Sequence, residues 1–461
     1  MLGTLQSKLY DASKIDKSKL MFSNKDLKLL LIPLIIEQLL NSFMGMADTM
    51  MVSNVGSVAL SAVSLVDSIN NLVIQVFAAM TVGATVICSQ YLGRGDEKKG
   101  NEAARQVFLA ILMISLMCMA VAIGGRNWLL QTIFGSVEED VMSNAHQYFV
   151  ITALSYPFLA LFGAGSAFYR ASGNSKFPMG ISVLSNLINI VGNALLIFVF
   201  NKGVVGAALS TLFSRIFSFG VIFYYLHKPR QPIVFNDYLK IRPNFPLIGK
   251  ILAIGIPAGI ENGMFQFGKL VIQSTVSAMG TIAIAAQAMT NILEMVNGIA
   301  GVGIGIGLMT VVGQCMGAGR KEEAKYYIVK LTGYGEIAII LSCLLALALV
   351  KPVTLLGGME AESARLCMEM VFWITLIKPL FWVLSFIPAY GMRAAGDVKF
   401  SMLISTVTMW ACRVSLCIYL YKVWGFGPIA VWIGMFADWG IRGVIFTFRF
   451  ISGKWAQKLL I

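Results

Sequence analysis

Charge is scarce in this chain. Of its 461 residues, 13% are Asp, Glu, Lys or Arg and 57% are hydrophobic, and the mean hydropathy is +0.77. A soluble fold of this length needs polar faces that such a composition cannot cover. Histidine is nearly absent: His146 and His227 are far apart and make no metal-ligand pattern. The seven cysteines, Cys88, Cys118, Cys315, Cys343, Cys367, Cys412 and Cys417, are odd in number, lack a CxxC pair and lie mostly in apolar stretches. Neither a disulfide framework nor a metal centre is implied. No catalytic constellation is visible, so no enzyme is expected. The segment GMFQFGKL, Gly263 to Leu270, nearly matches the phosphate-cradling GxxxxGK[ST] but ends in Leu and has no strand before it, which leaves ATP binding unsupported. The first 25 residues interleave Lys8, Lys14, Lys17, Lys19 and Lys25 with acids and lack the apolar core of a cleavable leader.

What the chain has instead is apolar length. Stretches of about 20 or more apolar residues recur from end to end, each enough to cross a bilayer. Twelve spans are expected, at 27–52, 57–92, 102–124, 145–168, 178–200, 204–226, 247–277, 281–316, 326–350, 366–390, 400–421 and 427–450. The second and eighth are longer than a bilayer requires and should tilt or project beyond it. The expected fold is an all-α integral membrane protein.

The chain also says the same thing twice. Residues 33–95 lie on 257–319 without a gap at an offset of 224, with 13 of 63 pairs identical, among them Pro33 with Pro257, Glu37 with Glu261, Gly56 with Gly280, Gly83 with Gly307 and Gln90 with Gln314. A half-length repeat in a membrane chain is a signature of secondary transporters. Six spans per half put both ends of each half on one side, so two six-helix bundles related by a pseudo-two-fold axis along the membrane normal are expected. The expected division is a cytoplasmic segment 1–26, a lobe 27–226, a linker 227–246, a lobe 247–452 and a cytoplasmic tail 453–461. The linker carries Pro229, Pro232, Pro243 and Pro246 and reads as hinge-like.

The basic residues orient the chain. Termini and even-numbered connections hold Arg94, Lys98, Lys99, Arg170, Lys176, Arg230, Lys240, Arg320, Lys321, Arg393 and Lys458 among others, whereas the odd-numbered ones hold only Arg126, Lys202, Lys351, Arg365 and Lys422. The positive-inside rule then places both termini in the cytoplasm of a plasma (inner) membrane protein. The net charge of +13 is accounted for by topology and contact with anionic lipid, and nucleic-acid binding is not expected.

Chemistry should lie where polar groups are held in hydrocarbon, because a charge at the centre of a span costs about 2.5–3.5 kcal/mol on insertion scales. In the first span Glu37, Asn41, Gly45 and Asp48 fall on one helical stripe, and in the seventh Asn262, Gln266, Lys269 and Gln273 do the same with Glu261 beside them. Both stripes are expected to face a shared cavity. The fifth span adds Asn186, Asn189 and Asn193, and the second Asp67 and Asn70, whose repeat partner is Glu294. The C-terminal half buries Lys269, Lys378 and Arg413, with Asp438 and Arg442 in the last span; pairing of Glu261 or Glu294 with Lys269 is the default. The glycines at 301, 303, 305 and 307 suggest close packing of the eighth span.

These residues carry a resemblance. The proline-bearing first span ending in MGMADTMMVSNVG, the turns SQYLGRGDEKKG and GQCMGAGRKEEA, and the paired YRASGNSKFPM and MRAAGDVKFSM resemble the multidrug and toxic compound extrusion (MATE) family from about residue 27 to 450. The resemblance implies two bundles around a cavity that opens alternately to either side, expelling organic, commonly cationic, amphipathic compounds against protons or sodium ions. It implies a cation site at Asp48, Asn189, Asn193 and Thr211, where the family's fifth-span Asp is replaced by Asn193, and hinges at Pro33 and Pro257. Glu37, Asn41, Asp67, Glu261, Gln266, Lys269, Glu294, Lys378 and Arg413 are the cavity candidates. Phe265 stands where the NorM-like branch has its seventh-span glutamate, and Glu261, one turn away, could substitute. Beyond H+ or Na+, the latter at Asp48, no cofactor or metal is expected, and a monomer in contact with membrane lipids is. The rival within the superfamily is a flippase for lipids or lipid-linked oligosaccharides, whose anionic headgroups would suit the buried cations.

Overall fold

The computed structural model describes residues 9–135, 138–229, 231–236 and 241–457. Lys8, Arg230, Lys240 and Lys458, which enter the reading of the N-terminal segment and of the topology, lie outside the described residues.

Twelve long helices are present among the described residues: α1 Asn24–Ser53, α2 Ser57–Gly93, α3 Glu97–Gly124, α4 Glu139–Ala171, α5 Lys176–Val199, α6 Gly203–Leu226, α7 Phe245–Ser277, α8 Thr281–Gly317, α9 Lys321–Leu356, α10 Ala361–Ala394, α11 Val398–Trp424 and α12 Ile429–Ile451. They overlay the twelve expected spans one for one. Eleven are long and apolar enough to cross a membrane. The other, α7, is as long, but Glu261, Asn262, Gln266, Lys269 and Gln273 dilute its apolar character.

Local chemistry sets the ends. Ser23 and Asp26 cap α1 reciprocally, Asp26 N donating to Ser23 Oγ (3.2 Å) and Ser23 N to Asp26 Oδ2 (2.9 Å). Asp96 accepts from Lys99 N at 3.0 Å and starts α3. The repeated glycines Gly56 and Gly280 open α2 and α8 at φ values of 136° and 97°, where a side chain would be strained. Three features lay outside the expectation. A short helix, Arg126–Phe134, follows α3. The α4 helix breaks at Ser155, two residues before Pro157, which lacks the N–H to continue the ladder. A wide π turn ends α5 at Ala194–Val199, and another interrupts α11 at Met409–Val414.

Contacts divide the chain into two compact units, one of Ile36–Gly259 and one joining the described residues before 36 to those after 259. The boundaries therefore fall inside α1 and α7, two residues beyond Pro33 and Pro257, whereas the sequence suggested divisions at the helix ends. Close backbone approach explains the difference. A Cβ at Gly307 would lie 2.4 Å from Leu31 and one at Gly303 2.8 Å from Ile35, so the start of α1 is seated on α8. In the other unit a Cβ at Gly83 would lie 3.0 Å from the Ile251 carbonyl, and one at Gly255 2.8 Å from Met80 Sδ, so the start of α7 is seated on α2. Gly255 is the repeat partner of Leu31, and the same crossing is thus made once in each unit. The neighbouring glycines of α8 serve its other face: a Cβ at Gly301 or Gly305 would meet Trp382 at 2.4 Å or Tyr390 at 2.3 Å on α10. Close packing accounts for the whole glycine run.

The segment before α1 is tied to α9 of its unit. Asp11 N and Met21 N donate to Glu322 (2.8 Å) and Glu323 (2.6 Å), while Tyr327 Oη accepts from Phe22 N (2.9 Å) and donates to Phe22 O (2.7 Å). The linker is equally fixed where it is described. Phe235 is fully buried among Phe108, Phe168 and Phe223, Val234 N donates to Asn101 Oδ1 at 2.8 Å, and Gln106 bridges Arg242 O and Asn244 N at 2.9 Å each. Where they are described, the residues of the 227–246 linker are thus held against α3.

Candidate cation site and the buried polar networks

In the unit Ile36–Gly259 the polar stripe of α1 turns toward α5. Glu37 Oε1 accepts from Ser182 Oγ at 3.2 Å, and Glu37 Oε2 is buried without a partner. About three turns on, Asp48 Oδ1 receives the Asn193 amide at 2.7 Å. The Asn189 amide satisfies its surroundings when its nitrogen also faces Asp48 Oδ1, at 2.7 Å, and its oxygen accepts from Thr211 Oγ1 and N at 3.3 Å each. Asp48, Asn189, Asn193 and Thr211, four positions from three helices, thus converge. Their orientation is set by a small-residue seam between α5 and α6, where Ser210 Oγ donates to Asn189 O (2.7 Å), Ser218 Oγ to Ser185 Oγ (2.7 Å) and Ser185 Oγ to Ser214 O (3.0 Å). Gly192 lets the helices close, since a Cβ there would lie 2.4 Å from Ser210 Oγ. Asn193 is 1% exposed and its Oδ1 has no partner, so a second oxygen stands ready beside the half-buried carboxylate.

Not every stripe residue joins. Asn41 is exposed, and neither it nor Gln266 makes a hydrogen bond among the described residues; Asn186 lies off the Asp48 cluster with a buried, unpartnered amide nitrogen. Asp67 heads a separate network, accepting from Asn70 Nδ2 (3.2 Å) and Tyr148 Oη (3.3 Å), while Asn70 Oδ1 accepts from Tyr156 Oη (2.7 Å). Arg215 of α6 donates to Ser155 Oγ at 2.6 Å, at the break in α4. The sequence reading passed over Arg215, although an arginine inside the apolar sixth span was a visible signal.

The other unit is organised by ion pairs, and the expected partnering is corrected. Glu261 binds Arg393 (2.5 Å), not Lys269, and Arg393 Nε donates to Ser401 Oγ (2.9 Å). Arg393, expected in a connection, is instead in the last turn of α10 and reaches back to α7. Glu294 binds Lys378 (2.8 Å), whose ammonium also lies 5.1 Å from the Trp382 ring. Asp438 pairs with Arg442, and Asp397 takes Arg449 at 2.7 and 3.1 Å. Glu261 Oε1 and the fully buried Lys378 are therefore paired, while Glu261 Oε2 is buried without a partner. Lys269 and Arg413 make no ion pair among the described residues; each sits 5.0 Å from the Phe265 ring.

Paired ions in long apolar helices, a carboxylate cradled by carboxamides and a helical crossing made twice define a multi-pass membrane transporter rather than an enzyme. The MatE family profile matches residues 33–195 and again 257–419, and the chain belongs to that family of efflux transporters. The two matches start at Pro33 and Pro257 and keep the offset of the internal repeat. A probable multidrug resistance protein, NorM, of Thermotoga maritima is 26% identical across 95% of this chain and 94% of its own. An uncharacterised transporter of Bacillus subtilis, YisQ, is 27% identical across 92% and 94%. An outward-facing MATE family transporter of the MOP superfamily shares the fold, with a TM-score of 0.87 at 17% identity over 93% of this chain and 96% of that one.

Proposed function

We propose that this protein exports small amphipathic organic compounds, cations among them, by antiport against a proton or a sodium ion that loads at Asp48. The observation that carries the reading is the convergence of Asn189 and Asn193 on one oxygen of Asp48, with Thr211 behind them. A carboxylate held this way can exchange amide donors for a proton, or keep its charge and share a sodium ion with amide and hydroxyl oxygens once the amides turn.

Neutralising Asp48 removes the charge that draws the amides of α5, and α1 is then free to rearrange about Pro33. That residue lies two positions before α1 changes unit, and Pro257 does the same in α7. Drug release outward and return of the lobes inward follow if the ion favours one arrangement over the other, since equal affinity shifts nothing. The basic residues of the even-numbered connections support an inner-membrane location with both termini cytoplasmic. Exposed apolar residues such as Met113, Met117, Leu341 and Leu345 suit contact with lipid around a monomer. The names of relatives such as NorM support a drug-like substrate range.

The deciding experiment is ethidium efflux from vesicles under separately imposed proton and sodium gradients, for the wild type and Asp48→Asn. Efflux under one gradient that the substitution abolishes supports the proposal and identifies the ion. Efflux that Asp48→Asn leaves intact overturns the site, and no efflux under either gradient overturns the antiport reading.

A further inference from the structure

Among the described residues of the unit that contains α7–α12, Lys269 and Arg413 lie within long helices and make no ion pair. Arg413 is 5% exposed, and its Nε is buried with no hydrogen-bond partner. It is carried on the π turn Met409–Val414 and held close to α12, where a Cβ at Gly434 would lie 2.6 Å from the Arg413 carbonyl. Lys269 projects from α7, which packs on the same turn: Gly268 faces Met409, and the Phe267 ring lies tilted against Trp410 at 5.6 Å between ring centroids. The Lys269 ammonium and the Arg413 guanidinium each lie 5.0 Å from the centroid of Phe265. Glu294 is paired with Lys378, Asp438 with Arg442 and Glu261 with Arg393, and none of the three makes an ion pair with Lys269 or Arg413, although Asp438 Oδ1 and Glu261 Oε2 have no hydrogen-bond partner. A buried guanidinium with an unsatisfied N–H is costly, and the cost is relieved by an anion that accepts from it.

We propose that Lys269, Arg413 and the Phe265 ring they share form a binding site for an anionic group, a carboxylate, sulfonate or phosphate carried by an aromatic or amphipathic molecule. Arg413 supplies the directional donors, Lys269 a mobile second charge, and Phe265 the apolar face on which the rest of the ligand lies. The site deepens the transport reading, on which its use in export rests, by adding acid-bearing and zwitterionic compounds to the substrate range. The same chemistry would hold a phospholipid headgroup.

The test is fluorescence anisotropy of carboxyfluorescein with the full chain in phosphatidylcholine nanodiscs, repeated with phosphatidylglycerol in the discs. Saturable binding to the wild type is expected, weakened at least tenfold by Lys269→Gln and by Arg413→Gln. Lys422→Gln, which removes an exposed lysine near the outer end of α11, should leave it unchanged. Lys269 is exposed, so its variant remains informative where Arg413→Gln does not fold. Suppression of the signal by phosphatidylglycerol that is lost in Lys269→Gln would identify lipid phosphate as an occupant of the same site. No saturable binding to the wild type, or equal affinity in Lys269→Gln and Lys422→Gln, overturns the inference. Ethidium efflux by the same wild-type preparation is scored separately, so failure of the transport reading is distinguished from failure of this site.

Discussion

Asn193 of α5 gives its amide hydrogen to Asp48 of α1 over 2.7 Å, and the oxygen of the same amide is buried with nothing to accept. Removing the carboxylate and removing the amide should therefore differ. Asp48→Asn should reduce gradient-driven ethidium efflux to background while leaving the melting temperature nearly unchanged, because the half-buried carboxylate makes no ion pair. Asn193→Leu strips a buried donor from a charged acceptor and should lower both efflux and stability, the latter by about 1–3 kcal/mol. Equal melting temperatures for Asn193→Leu and the wild type would show that the contact is not maintained.

Restoring a second acid beside the first tests the chemistry of the cluster. Asn193→Asp places two carboxylates within hydrogen-bond reach, a pair that is stable only with a proton or a metal ion between them. Efflux by this variant should depend more steeply on sodium than that of the wild type. A sodium response identical to the parent's would argue that position 193 does not face the ion.

The glycines of α8 are predicted to be intolerant of side chains, since Leu31 and Tyr390 occupy the space a Cβ would need at Gly307 and Gly305. Gly307→Leu and Gly305→Leu should each lose about 1–3 kcal/mol or more through overpacking. Gly45, with nothing within 4 Å of its Cβ position, is the internal control, and Gly45→Ala should melt with the wild type. Thermal melts of purified protein in one detergent make the comparison.

The Lys378–Glu294 pair is predicted to show the asymmetry of buried ions. Lys378→Met alone leaves Glu294 uncompensated and should cost about 3–5 kcal/mol, whereas Lys378→Met with Glu294→Leu should regain most of it. If the double variant is no more stable than the single one, Glu294 has a second partner of equal strength.

Pro33 lies inside α1, where its ring breaks the hydrogen-bond ladder, and the helix changes unit two residues later. Pro33→Ala should straighten and stiffen this point, slowing turnover several-fold while dye affinity changes little. Parallel measurements of efflux rate and dye binding decide it, and an unchanged rate would remove the hinge role.

Much of this protein was legible in one dimension because the bilayer enforces a simple rule: backbone polar groups must be satisfied within each span, so apolar length alone announces a helix. The twelve helices and the repeat at an offset of 224 were readable as period and spacing, whereas the grouping of Asp48 with Asn189, Asn193 and Thr211 came from the resemblance to the MATE family. The partners of the buried ions were not readable. Glu261 and Lys269 lie eight residues apart on one helix, and proximity in sequence favoured pairing them, yet Glu261 reaches Arg393 on α10. Only the tertiary structure also decided that Phe235 pins the linker and that Arg215 meets the break in α4. The division of α1 and α7 just past their prolines was hidden for the same physical reason. A helix declares its own apolar faces through its sequence, but which neighbour covers each face depends on how closely backbones approach, and that is set by glycines and side-chain volumes contributed by two segments distant in the chain.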